Sequence, residues 1–141
     1  MDFRLRIATW KDLGAGARAV RQAVFVEEQK VPAHLEWDDH DDDCVQLLAT
    51  DADGNAIGTG RLLADGAIGR IAILAPHRGQ GLGRAIMEAL IAEARRRGLT
   101  EVYLTAQTQA MAFYEKLGFT LAGGEFLEAG IPHITMKRRF D

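Results

Sequence analysis

The sequence predicts a mixed α/β fold of the α+β kind, a mostly antiparallel sheet flanked by helices, in the order β-α-β-β-β-α-β-α-β-β. Three observations predict it. Runs in which apolar residues alternate are separated by Asp-Gly turns, and they are interrupted by segments of helical period. At 141 residues the chain is long enough to bury one sizeable core. It carries no linker, internal repeat or low-complexity tract, so 1–141 reads as a single domain.

Phe3, Leu5 and Ile7 alternate with polar neighbours, as in a half-buried first strand. Ala17, Val20 and Val24 follow helical spacing, so 14–28, "GARAVRQAVFVEEQ" and its flanks, reads as an amphipathic helix. Pro32 and the acidic run make 29–43 a loop. "VQLLAT" and "AIGTGRLLA" flank Asp53-Gly54, a hairpin signal, and "ADG" at 64–66 turns the chain again before "AIGRIAILA". Residues 45–75 therefore read as a three-stranded antiparallel meander. Leu82, Ile86, Ala89, Leu90 and Ala94 mark one face of a helix over 81–97, left at Gly98. "EVYLTA" reads as a strand and 107–117 as a shorter helix ended by Gly118. "FTLAG" and "HITMKRR" close the chain as strands joined by the loop "GEFLEAGIP".

Composition removes several function classes. The chain has no serine, which excludes a Ser-His-Asp hydrolase. Its one cysteine, Cys44, follows Asp41, Asp42 and Asp43, whose charge disfavours a thiolate nucleophile. A single cysteine also allows no internal disulfide, which fits a reducing, cytoplasmic setting. No apolar run is long enough to cross a bilayer, and "MDFRLRIATW" lacks the layout of a secretory signal. A net charge of -3 argues against nucleic acid as the partner. No HExxH or Cys-His spacing suggests a metal, and "DDHDDD" does not match a calcium loop.

The chemistry concentrates at "PHRGQGLG", between the apolar strand "RIAILA" and the helix that follows. A helix N-terminus exposes unpaired N–H groups and partial positive charge, and glycines let that backbone approach an anion. Arg78 and Arg84 add fixed charge on either side. A Walker loop would need Gly-Lys-Ser/Thr, but Arg84-Ala85 follows the last glycine. A Rossmann G-x-G-x-x-G fails as well, because Arg84 or Ile86 occupies the sixth position.

Arg78, Gly81 and Gly83 do fill the pattern Q/R-x-x-G-x-G/A, and "AQTQAMAFYEKLGF" follows at 106–119. On these motifs the chain resembles the GNAT superfamily of acyl-CoA-dependent N-acetyltransferases. The N-terminal "VRQAVFVEEQKVPAHLEWDDHD" and C-terminal "GEFLEAGIPHITM" are similar to a small bacterial branch of it. The resemblance implies acetyl-CoA as donor and direct attack by an amine in a ternary complex. It implies that Arg78, Gly79, Gln80, Gly81, Leu82, Gly83 and Arg84 bind the pyrophosphate. The backbone of Ile71, Ala72 and Ile73 would pair with the pantetheine arm. Gln107 stands where relatives often have asparagine. The resemblance further implies that Tyr114 donates a proton to the departing thiolate, and that the chain could pair as a homodimer.

The general base stays open. The strand before the turn offers Arg70 rather than an acid, leaving Glu36, Asp38, Asp41, Glu128, His133 or a held water. Histidine has a suitable unperturbed pKa, near 6.5. The acidic loop, interrupted by Trp37 and His40, points to a small cationic amine as acceptor, with Trp37 as a pocket wall. A non-catalytic acyl-CoA sensor and an interaction scaffold are the competing readings.

Overall fold

The computed structural model describes residues 3–37 and 41–140. Its strands form two antiparallel sheets. In the first, β1 (Phe3–Ala8), β2 (Val45–Asp51), β3 (Ala56–Leu62) and β4 (Ile68–Ile73) lie in chain order. In the second, β8 (Ile131–Arg139) runs between β5 (Glu101–Gln107) on one side and β6 (Thr120–Leu121) and β7 (Phe126–Glu128) on the other.

Helices cover both faces of the first sheet. Leu47 and Ala49 of β2 point into the core under α3 (Leu82–Arg96), where Leu82, Ile86, Met87 and Leu90 are fully buried. Leu48, one residue out of phase, points to the opposite face and meets Gly16 of α1 (Trp10–Arg21). Gly60 leaves room for α3 over β3: a Cβ there would lie 2.8 Å from Leu90 Cδ1 and 2.9 Å from Ile71 Cδ1.

The two sheets share one core, and among the described residues their backbones bridge at one end. Ala67 forms a parallel bridge to Tyr103, whose N–H donates to Gly66 O at 3.0 Å. Gly66 makes this approach possible. Its φ is +99°, and a Cβ would sit 2.7 Å from Glu101 O. Beyond the bridge, β4 and β5 pair with no common strand among the described residues and splay apart.

Four elements differ from the sequence expectation. The first helix begins at Trp10 rather than 14, and after Arg21 it widens into a π-helical segment (Gln22–Glu28). Gln29 N–H there reaches back five residues to Val24 O, at 2.9 Å. The supposed loop 29–43 holds a one-turn helix α2 (Ala33–Glu36) and a 3₁₀ turn at Asp41–Asp43. The supposed loop "GEFLEAGIP" contains β7, joined to β8 through Ala129 and Gly130, at φ +52° and +77°. Positive φ at both central residues suits a type I′ hairpin, but alanine in place of the usual Asn or Asp hides it in the sequence. The shorter helix, α4 (Met111–Lys116), is preceded by one 3₁₀ turn at Thr108–Ala110.

Candidate active site

The turn before α3 leaves a row of open donors. The 3₁₀ turn Ala75–His77 uses the N–H of His77 (to Leu74 O, 2.9 Å) and that of Arg78 (to Ala75 O, 3.2 Å). The next engaged amide is Ala85, bonded to Gly81 O at 3.1 Å. Between them, the N–H groups of 79–84 meet no acceptor among the described residues. Gly79 (φ +74°) and Gly81 (φ +86°) take the left-handed backbone that folds this row over the helix end, and Gly81 caps α3 without a side chain. Buried Leu82 anchors the first turn in the core, while Gly83 packs against Ile73 and Phe113. The row and the helix dipole together make an anion cradle.

The arginines on either side are otherwise engaged. Arg78 donates from Nε to Ile73 O (2.9 Å) and clasps Glu28 with both terminal nitrogens (2.7 and 2.8 Å), tying the turn to the π-helical segment. Arg84 pairs with Glu88 one turn along α3 at 2.7 Å. Gln80 is exposed. The cradle is therefore backbone.

The splay between β4 and β5 opens a cavity of about 520 Å³, to which Ile71, Arg70, Gln107, Tyr114, Glu36 and His133 contribute. On its β4 side the ladder slips: Gly69 pairs with Arg61 and Ala72 with Thr59, so Arg70 bulges at φ +53°. Thr59 Oγ1 donates to Arg70 O at 2.8 Å and holds the bulge. Ala72 is buried with Val20 and Val24, whereas Ile71 and Ile73 pack toward the main core. The free backbone edge of β4 faces the splay. Across it, Gln107 Nε2 donates to Gln29 Oε1 at 2.8 Å.

Tyr114 stands half-buried in the same cavity, edge-on to Phe113 and Phe119 (centroids 5.0 and 6.1 Å). Its hydroxyl has no hydrogen-bond partner among the described residues. Burial pushes the phenol up to about 12, so it is held protonated.

Two carboxylates of the acidic run, Glu36 and Asp41, turn inward. Glu36 Oε2 accepts from Arg21 Nε at 2.7 Å and lies 3.1 Å from Arg70 Nε; Asp41 Oδ1 takes Arg21 Nη1 (2.8 Å) and Arg61 Nη1 (2.9 Å). Burial raises Glu36 above the usual carboxylate range, more than Arg70 and Arg21 lower it. Burial pushes Asp41 the same way, but its hydrogen bonds and charge pairing with Arg21 and Arg61 outweigh it and hold Asp41 low. Arginines thus pair with both of these carboxylates. Trp37 packs on the guanidinium groups of Arg18 and Arg21 (5.2 and 4.8 Å). Asp38 and His40 lie outside the described residues.

Arg21 and Arg61 were not singled out from the sequence. The signal for Arg21 was there: it falls on the stripe Leu13, Ala17, Val20, Val24, where a charge needs a buried partner. His133 is held between neighbouring strands, with Gln107 on one side and Phe126 on the other. Among the described residues, no group of three His, Cys, Asp or Glu side chains could hold a metal ion. No helix among them is long and apolar enough to cross a membrane.

A splayed pair of strands thus leads to a helix N-terminus whose backbone donors are open. The family model described as "Acetyltransferase (GNAT) domain" matches residues 13–140, and the chain belongs to that family. It is 42% identical to the "Uncharacterized N-acetyltransferase YjcF" of Bacillus subtilis, over 84% of this chain and 87% of that one. Among solved structures it resembles an acyl-CoA N-acyltransferase from Pseudomonas aeruginosa (38% identity, TM-score 0.83, 97% and 98% covered). It also resembles Escherichia coli ElaA (25% identity, TM-score 0.87, 97% and 99% covered). The chain is an acyltransferase enzyme of this family.

Proposed function

We propose that the protein transfers the acetyl group of acetyl-CoA to the primary amine of a small cationic molecule, both reactants being held together in the splay. The observation that carries this reading is the row of six unclaimed N–H groups, 79–84, which suits a pyrophosphate without any lysine or metal. The site fits the donor in two further respects. The unpaired edge of β4 offers Ile71, Ala72 and Ile73 to an extended amide-bearing arm, in the manner of an added strand. Gln107, whose amide already bridges to Gln29, offers a polar contact beside it.

Bound acetyl-CoA supplies an activated thioester carbonyl. Tyr114, protonated and without an internal partner, donates its hydroxyl proton to the leaving sulfur. The bulge at Arg70 turns the β4 backbone out of its ladder, which suits an N–H donating to the carbonyl oxygen. With Glu36 and Asp41 claimed by arginines, Glu128, largely exposed at the cavity, is the carboxylate that draws a cationic amine.

Calorimetric titration with acetyl-CoA and with S-acetylpantetheine, which lacks the pyrophosphate, tests the donor. Acetyl-CoA is expected to bind at micromolar Kd and the truncated thioester at least ~100-fold more weakly. A thiol-release assay with spermidine, tyramine and ethanolamine tests the acceptor class. Absent acetyl-CoA binding, or equal affinity for the two thioesters, overturns the reading.

A further inference from the structure

With Tyr114 serving the leaving group, the proton shed by the amine needs its own acceptor. His133 sits at the centre of a three-strand row, opposite Gln107 of β5 and Phe126 of β7. It is 8% exposed and lines the same cavity as Tyr114. Its Nδ1 lies 2.7 Å from Ile131 O. A carbonyl can only accept, so Nδ1 carries the hydrogen, and in the neutral ring Nε2 is a bare lone pair. That Nε2 is 3.6 Å from Glu128 Oε2, too far for a good hydrogen bond, so its lone pair is left open toward the cavity. Phe126 stacks on the imidazole (centroids 6.1 Å, 26°) and fixes its plane.

One hairpin supplies all of this. Its register sets Glu128 opposite Ile131 and Phe126 opposite His133, and it holds only because Ala129 accepts a left-handed φ of +52°. Other ionisable groups around the cavity are less available. Glu36 and Arg70 are paired with each other, and Tyr114 is the proton donor of the reading above.

We infer that His133 Nε2 is the general base of the transfer, with the Ile131 carbonyl setting its tautomer and Glu128 stabilising the imidazolium. The inference rests on the acetyltransferase reading. In the step, the amine lone pair forms an N–C bond to the acyl carbon and the C–S bond breaks. The nitrogen's proton passes to Nε2, and the departing thiolate takes the Tyr114 hydroxyl proton. Water then returns the proton from His133 to the Tyr114 phenolate, leaving amide, thiol and the starting enzyme.

The test is His133→Asn, whose amide nitrogen overlies Nδ1 and keeps the bond to Ile131 O while removing Nε2. In thiol release from acetyl-CoA with spermidine, kcat is expected to fall at least ~100-fold, with acetyl-CoA Kd within about threefold of wild type. Imidazole added to His133→Ala is expected to restore part of the rate, and Glu128→Gln to lower kcat about tenfold. The ¹⁵N spectrum of the ring is expected to report hydrogen on Nδ1 and none on Nε2. Turnover by His133→Asn within about threefold of wild type, or an Nε2–H ring, overturns the proposal alone. Wild-type protein that binds acetyl-CoA but releases no thiol overturns both the proposal and the reading beneath it.

Discussion

Tyr114→Phe deletes one oxygen that bonds to nothing among the described residues. At neutral pH no internal hydrogen bond is lost with it, so stability is expected to change by less than about 0.5 kcal/mol. At high pH the variant departs from wild type. Burial raises the phenol from 10.0 to about 12, a preference of about 2.7 kcal/mol for the neutral form in the folded state. A raised folded value means that this stability is complete below pH 10 and is lost as pH climbs from 10 toward 12. Wild type gives up to about that much over the window, and Tyr114→Phe does not. Tyr103, raised to about 12 by its hydrogen bond to Asp65, destabilises both proteins alike. Urea unfolding at pH 7 and at steps between pH 10 and 11.5 measures the difference. Turnover supplies the second half: kcat is expected to fall about 10²- to 10⁴-fold, with acetyl-CoA affinity unchanged. A variant that keeps turnover within about threefold refutes the acid role. Equal alkaline losses in the two proteins refute the burial argument.

Gly66→Ala adds both a left-handed penalty and a contact at 2.7 Å with Glu101 O, and is expected to cost about 2–4 kcal/mol by urea unfolding. Because Gly66 pins the closed end of the splay, acetyl-CoA affinity in calorimetry is expected to fall with it. Arg21→Ala leaves buried Glu36 with Arg70 and Asp41 with Arg61 as their remaining charge partners and is expected to cost about 2–4 kcal/mol, read as a lowered Tm. Glu93 is held at about 2 by hydrogen bonds from Arg96 and then Arg97, so it stabilises the fold above pH 4.5 and the contribution is lost as pH falls toward 2. Both arginines are largely exposed, which limits the effect to under about 1 kcal/mol. Glu93→Gln is expected to flatten the acid limb of an unfolding titration by that amount. Glu36, raised by burial, slopes the opposite way in both proteins.

Much of the fold was legible because its signals are local. Alternation marked β1, the Asp-Gly turns marked the meander, and helical period with flanking glycines marked α3, each a matter of a few adjacent residues. The glycine turn was legible for the same reason: an open helix N-terminus is made by consecutive backbone groups, and Gly79 and Gly81 announce it. What the sequence determined by itself is therefore the family, most of the strands, the long helix α3 and the glycine turn that opens it. Tertiary structure alone decided which charges are free. Arg78 meets Glu28, from a segment fifty residues away, which no local pattern announces. The acidic loop resembled a surface until Arg21, Arg61 and Arg70 drew Glu36 and Asp41 inside. Ala129 concealed the hairpin that brings Glu128 to His133. Backbone conformation and apolar period are set within a turn or two of chain, whereas a charge is spoken for only once its partner has arrived from elsewhere in the fold.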